Sequence, residues 1–600
     1  MSTRRQALKA GAAGAAAAAL GTPAAPAAAD APARKPNILI LMCDQERLPQ
    51  WTPKDLPLPA RNWIDDHGVS FDRFHHSAVQ CSSSRACFWT GMYVPQNGIF
   101  GNFLQSWQFS LDPRIPTIGD LMREQGYKTA FFGKWHLSIA GVSATEGPVE
   151  NAQGNYLGEY GFDYSVNSLS LEPAGYNDGV YNDPLWTKQG IDWLAEHGGG
   201  DQPWFCVVSL LNPHDIAYFP RGFTADVKRP DWDVKLPLNF EDDITTKPTV
   251  HRQYADGAAL IRGSIADDDL PTWRRLINTY CDLIVNTDEN YGALVKALHD
   301  SGGMENTVMI RTADHGEMGG SHRAVGKGPM IYDEQLRMPL SISWPARFPA
   351  QQGARTGALA DSVDIIPTCL DIAGVPDPTS KYPWLRGRSL MPAVANPAHT
   401  AGKDFTVSTC DEVWSPQDFA GKGAPWKRHV RAALSGRFKV ARYVAMDGKP
   451  QKEITDEQEY ELYDLLEDPY ELRNLARDAA YKPLLGDMIV RLRELEDEHF
   501  SPVEVPAYGN PSLIEIIRPD PLGRPQTVLT PLESGTTGAA GGPGNYTQLP
   551  IEDPHVTDRV FEGADTGRPP ATADDSRANA EARARFRASM LCELGPMPGR

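Results

Sequence analysis

PNILILMCDQ, residues 36–45, is an apolar run of strand length that stops on an acid and an amide. No wet face interrupts it between Ile38 and Cys43, which is the pattern of a strand buried on both faces of a parallel sheet. Three further runs repeat the design: YKTAFFGKWH (127–136), WFCVVSLLNPHD (204–215) and TVMIRTADHGE (307–317). Helical patterns fall between them. TIGDLMREQG (117–126) puts Ile118, Leu121 and Met122 on one face and stops at Gly126, and a long amphipathic segment runs from Leu270 to His299 and stops at Gly302. The alternation predicts an α/β fold with helices covering the sheet. Each run delivers chemically capable residues at its C-terminal end: Asp44; Lys134 and His136; His214; Asp314 and His315. In open α/β sheets that edge is where ligands bind, so the four ends are expected to converge.

The composition narrows the partners. The 600 residues are 41% hydrophobic and 22% charged, as in a globular chain. A formal net charge of −19 repels nucleic acid and anionic membranes, so an anionic small substrate needs a local cationic pocket. Residues 2–30, STRRQALKAGAAGAAAAALGTPAAPAAAD, place Arg4 and Arg5 before a weakly apolar Ala/Gly run and then small residues. This is the pattern of a twin-arginine export signal over 1–33, cleaved after Ala29, Ala31 or Ala33, which implies a bacterial protein handled by the twin-arginine translocase and delivered to the periplasm or beyond. The run is too short and too weakly apolar for a membrane span. The eight cysteines contain no C-x-x-C pair, so a zinc ribbon or dithiol redox site is not expected. Cys43, Cys206 and Cys281 read as core; Cys81 has polar neighbours.

Residues 34–400 read as the catalytic domain. ALSGRFKVARYV (433–444) and ELYDLLEDPYELRNLA (461–476) predict a small antiparallel sheet plus a helix over 401–505. Residues 506–600 form a Pro/Gly-rich extension, with a last helix expected near Asp574 to Leu594, and such an arm suits wrapping between subunits of a homo-oligomer. The triplet Asn545, Tyr546, Thr547 is a chance glycosylation pattern in a bacterial chain.

VQCSSSRACFWTG (79–91) sets a thiol before three serines and an arginine, and it resembles the sulfatase signature C-x-P-S-R-x-x-x-x-T-G through Cys81, Ser84, Arg85, Thr90 and Gly91. Ser83 stands where the signature carries Pro or Ala. The resemblance extends over roughly 36–500: Asp44 after its strand, GKWHL (133–137), Asn212 to His214, TADHGE (312–317) leading to Lys327, RMPLSISWP (337–345), SVDIIPTCLDIAGVP (362–376) and ELYDLLEDPYELRNLA. It implies the alkaline-phosphatase-like superfamily, with a large mixed, mostly parallel sheet flanked by helices and a smaller C-terminal antiparallel sheet.

The same resemblance implies roles. Cys81 is oxidised to formylglycine by a formylglycine-generating enzyme, and its hydrate supplies the nucleophile. The serines are suited to capping the helix that begins there, whose N-terminus favours an anion. Arg85 neutralises the nucleophile and braces the loop. Asp44, Gln45, Asp314 and His315, with residue 81, hold one divalent metal. Oxygen-rich ligation puts Ca²⁺ first, with Mg²⁺, Mn²⁺ and Zn²⁺ also compatible. Lys134 and Lys327 hold the sulfate oxygens, His214 or Lys327 protonates the leaving oxygen, and His136 takes a proton so that sulfate departs. The expected substrate is a small anionic sulfate ester. Gln45 with the Asp314-His315 pair also resembles the choline-sulfatase and phosphonate-monoester-hydrolase branches, which keeps phosphonate monoester or phosphodiester hydrolysis as the alternative activity. His75, His76 and His322 are expected in structural places or as peripheral substrate contacts, and Phe88, Trp89, Phe100, Phe103 and Trp107 in the core, with the lining of a leaving-group site as their alternative.

Overall fold

The structure is a computed structural model that describes residues 34–48, 52–102, 110–138, 142–143, 147–148, 157–166, 178–220, 232–411, 429–444, 458–506 and 528–530. The expected export signal, Phe103, Trp107, the Asn545 triplet, Cys592 and the terminal helix lie outside the described residues. Eight strands make the main sheet: β1 Asn37–Asp44, β2 Val69–His75, β3 Lys128–Gly133, β4 Tyr164–Val166, β5 Trp204–Pro213, β6 Thr307–Ala313, β7 Leu340–Ser343 and β8 Ala354–Asp361. Their order is β8-β2-β7-β6-β1-β5-β3-β4, and only β7 runs against the rest. The run 36–45 is therefore an interior strand, paired in parallel with β5 on one side and β6 on the other.

Period-2 alternation divides β1 between two cores. Ile38, Ile40 and Met42 face a layer holding Phe88, Trp89, Ile118, Leu121 and Ile366. Leu39, Leu41 and Cys43 face the opposite layer with Tyr291, Leu294 and Leu298. The first layer comes from α2 Cys81–Thr90, α3 Ile118–Glu124 and α7 Ile365–Ile372. The second comes from α1 Pro59–Asp66, α4 Asp178–His197 and the 31-residue α6 Leu270–Asp300; α5 Thr249–Arg262 lies between α4 and α6 in the chain. Local chemistry sets the helix ends. Thr117 and Asp120 form a capping box at the start of α3, and the Asp269 carboxylate accepts from the Thr272 N–H at the start of α6.

Strands β9 Phe405–Asp411, β10 His429–Ser435, β11 Phe438–Val444 and β12 Glu459–Asp464 form a separate antiparallel sheet in sequence order. Helix α8 Lys482–His499 packs on it, with a fully buried Arg442–Glu496 fork at 2.8 and 2.6 Å. The antiparallel sheet is the one expected from 433–476, whereas the helix lies beyond that stretch, at Lys482–His499, because 461–476 is spent on a strand and the turns after it. Its first strand also pairs with the segment just before Cys81: Val79 N–H donates to the Thr409 carbonyl at 2.9 Å and Thr409 N–H to that of Ser77 at 3.0 Å. Among the described residues no helix is long and apolar enough to cross a membrane.

Candidate active site

The site is built where the main-sheet strands end. β1 ends on Asp44, β6 is followed directly by Asp314 and His315, β5 by His214, and β3 by Lys134 and His136. Gly133 makes the β3 end possible. Its φ of +104° and a Cβ that would lie 2.0 Å from the Ser209 carbonyl oxygen exclude any side chain there, and the Lys134 N–H then donates to that carbonyl at 2.8 Å.

Cys81 is the first residue of α2. It follows Gln80, whose φ is +89°, and the helix closes at left-handed Gly91. The serines do not cap this helix. The N-cap position is Gln80, with no capping side chain, and the serine hydroxyls donate to carbonyls instead: Ser82 to His136 at 2.6 Å, Ser83 to Val79 at 2.6 Å, and Ser84 to Asp314. The Ser82 N–H is received by Asn102 Oδ1 at 3.2 Å. Serines in the first turn of a crowded helix satisfy themselves on nearby backbone, and here the bonds of Ser82 and Ser84 tie the Cys81 turn to the His136 and Asp314 loops.

Asp44, Cys81, Asp314 and His315 are all buried and offer ligand atoms within 4.8 Å of one another. The Cys81 Sγ lies 3.1 Å from His315 Nε2 and 3.9 Å from Asp44 Oδ1. His315 Nδ1 is 3.0 Å from the Gly316 carbonyl, which can only accept, so Nδ1 carries the proton and Nε2 turns its lone pair inward. Arg85 braces the acids: Nε donates to Asp314 Oδ2 at 2.9 Å, Nη2 to Asp44 Oδ2 at 3.0 Å, and Nη1 to the Lys134 carbonyl at 2.6 Å and Ser209 Oγ at 2.9 Å. Lys134 Nζ is 2.8 Å from Asp44 Oδ2. Lys327 Nζ donates to Gln45 Oε1 at 2.6 Å, and Gln45 Nε2 donates to Glu317. Gln45 therefore turns its amide oxygen to Lys327.

Burial governs the protonation states. It pushes the Cys81 thiol up to about 12, with Asp44 adding to the rise. Burial also opposes the charge on Asp44, but Lys134, His214 and Arg85 outweigh it and hold that carboxyl well below its usual range. Asp314 moves the other way, to about 7, through burial and the neighbouring Asp44. Burial and Lys327 keep His315 neutral; burial with Lys134 and Arg85 does the same for His136. Lys327 stays charged because the negative charge of Asp44 overcomes its burial.

Residues 36–375 match the family described as Sulfatase, which is more than half of the chain. The chain belongs to the sulfatase family. The sulfatase is 26% identical over 472 residues to a Delta 4,5-hexuronate-2-O-sulfatase of Bacteroides thetaiotaomicron, covering 77% of this chain and 88% of that one. It is also 26% identical over 529 residues to an N-acetylglucosamine-6-O-sulfatase of the same organism, covering 78% and 87%. Among solved structures, the phosphonate monoester hydrolase of Agrobacterium radiobacter shares the fold, with a TM-score of 0.60 and 22% identity over 77% of this chain and 96% of that one. Family and fold together make this sulfatase a sulfuric ester hydrolase of the alkaline-phosphatase-like superfamily.

Other residues support the sulfatase's site from outside. Asp183 on α4 accepts from the Leu211 and Asn212 N–H groups at 2.6 and 2.8 Å, and Asp215 accepts from those of Gly179 and Val180, both at 3.1 Å, so His214 stands on a loop fastened from both sides. Nothing in the local pattern marks Asp183, Ser209, Asn102 or Glu317 as part of such a scaffold. His76 bonds the Gln335 carbonyl, His322 is held by Asp242 at 2.6 Å and stacks on Tyr332, and His75 is buried at the end of β2. Phe88, Trp89 and Phe100 are core.

Proposed function

We propose that the protein hydrolyses a small anionic sulfate ester to an alcohol or phenol and inorganic sulfate, using Cys81 matured to formylglycine and one divalent metal. The observation that supports this most is the convergence on the Cys81 sulfur of a buried Asp44–Asp314–His315 set, beside the Lys134 and Lys327 ammonium groups. Two carboxylates and one inward imidazole suit a hard divalent ion, Ca²⁺ first and Mg²⁺, Mn²⁺ or Zn²⁺ as alternatives. When bound, the metal supplies Lewis acidity at residue 81 and balances the acids, while the formylglycine hydrate supplies the attacking hydroxyl.

The chain's own residues carry the remaining work. Lys134 and Lys327 meet the sulfuryl oxygens as negative charge builds. His214 or Lys327 delivers the proton to the leaving oxygen, and His136, whose carbonyl is tied to Ser82, removes a proton at the release stage. Arg85 holds both acids and so fixes the distance between the two strand ends.

Gln45 favours a second reading, hydrolysis of phosphonate monoesters or phosphodiesters. It adds no negative charge beside Asp44, and these substrates, like sulfate monoesters, are tetrahedral monoanions. Initial rates on 4-nitrophenyl sulfate, an aryl phosphodiester and an aryl phosphonate monoester separate the two; a much faster phosphorus reaction replaces the first reading with the second. The mass of the tryptic peptide carrying residue 81 tests maturation by a formylglycine-generating enzyme, and an unmodified thiol in active protein would refute it. We further propose twin-arginine export to the periplasm or beyond, a catalytic domain over 34–400 and a small α+β subdomain over 401–505.

A further inference from the structure

The loop that carries Lys327 hangs on one carboxylate. Glu317 is fully buried. Its Oε1 accepts from the Gly319 N–H at 2.8 Å and from the Gly326 N–H at 2.6 Å, immediately before Lys327. Its Oε2 receives Gln45 Nε2, and Gln45 Oε1 in turn receives the Lys327 ammonium at 2.6 Å. The amide orientation is forced at both ends, because a carboxylate only accepts and an ammonium only donates. The backbone of the Lys327 loop and the tip of the Lys327 side chain are thus referenced to the same group.

We propose that Glu317 is a positioning residue for Lys327: through Gly326 and through the Gln45 amide it sets where the ammonium stands, without touching substrate. This rests on the reading of Lys327 as part of the reaction machinery. Glu317→Gln keeps the size of the side chain but breaks the logic. If its oxygen serves the two loop N–H groups, its NH₂ faces Gln45, which must turn its own NH₂ toward the ammonium. If the new amide turns the other way, its NH₂ faces the two backbone donors. No orientation satisfies every partner.

The test is a double-mutant cycle with Lys327→Met, read as kcat and KM on an aryl ester that the wild type turns over, together with residue-81 maturation by mass and the melting temperature. Glu317→Gln is expected to lower kcat by about 10- to 100-fold with KM changed by less than about threefold. In the Lys327→Met background, where the opposing donor is gone, the same substitution is expected to cost less than about threefold. An unchanged kcat in Glu317→Gln, or an equal loss in both backgrounds, overturns the positioning role alone. Full activity in Lys327→Met overturns the lysine's role and the proposal with it. Should Glu317→Gln fail to fold, Gln45→Met in the same cycle reads the path from its other end, with a suppressed loss expected and an unsuppressed loss overturning the proposal.

Discussion

Two buried charge clusters sit within two residues of each other at the end of β1, and they are built to opposite purposes. The Glu46 cluster is closed. Arg61 forks onto Glu46 and reaches Asp288 at 3.1 Å, Asp288 also accepts from the first N–H groups of α1, and Arg311 joins Glu46 to Asp65. Three carboxylates there face two guanidinium groups. The Asp44 cluster sets three carboxylates, Asp44, Asp314 and, behind the Gln45 amide, Glu317, against three cations, Arg85, Lys134 and Lys327, and its ligand atoms converge on a sulfur atom. A closed ionic cluster orders the end of a strand. An ionic cluster whose acids and cations gather round a single sulfur atom encloses a site. Buried ion pairs contribute little net stability in either case, so the difference between them is one of geometry and charge balance.

The sharpest way to separate the clusters is to remove the atom on which one of them converges. Cys81→Ala should reduce ester hydrolysis by about 10⁴-fold or more while the circular dichroism spectrum stays native. Next come the two arginines. Arg85→Ala and Arg61→Ala should each cost about 3–5 kcal/mol by stranding buried acids, measured by urea unfolding. Only Arg85→Ala should also lower kcat of the folded enzyme, by about 100-fold or more; a matching kcat loss in Arg61→Ala would erase the distinction. Chelation should then act on one cluster alone. Exhaustive EDTA treatment should abolish turnover and lower Tm, a metal at about 100 times its Kd contributing about 2.7 kcal/mol, and titration with Ca²⁺, Mg²⁺, Mn²⁺ and Zn²⁺ should restore both and rank the ions.

The smallest effect belongs to a group outside both clusters. His251 is held near 4, chiefly by burial, below its value in the unfolded chain. The unfolded state therefore binds a proton first on acidification, so the stabilisation is present above pH about 6.5 and is lost as pH falls toward 4. His251→Gln should flatten the curve of unfolding free energy against pH in that window by up to about 1.4 kcal/mol per pH unit, measured by urea unfolding.

The four strand ends were legible because an uninterrupted apolar run closed by a polar residue carries its own burial and its own boundary. Cys81 and Lys327 close no such run, and their places in the ordered set were expected only through the resemblance to the sulfatase signature and its companion motifs. The serines of 82–84 are not the caps their position suggests: Ser82 and Ser84 donate to the His136 and Asp314 carbonyls beyond other strands, and Ser83 to Val79 in its own segment. Glu317 looked like the tail of a motif, and its function appears only when Gln45, 272 positions earlier, lies against it. Asp183 and Ser209 were invisible for that reason too: their work is a hydrogen bond to a distant element, and local periodicity records burial without recording partners.

The pairing of β9 with the segment before Cys81 has a consequence for timing. In the finished fold the Cys81 side chain is 1% exposed, and Ser77 and Val79 are clasped to Thr409. Any enzyme that must reach this thiol has its opening only until that clasp and the Asp314 strand end have formed. Synthesis at about 5–20 residues per second separates Cys81 from Thr409 by roughly 15 to 65 s, so the clasp cannot form before that interval has passed.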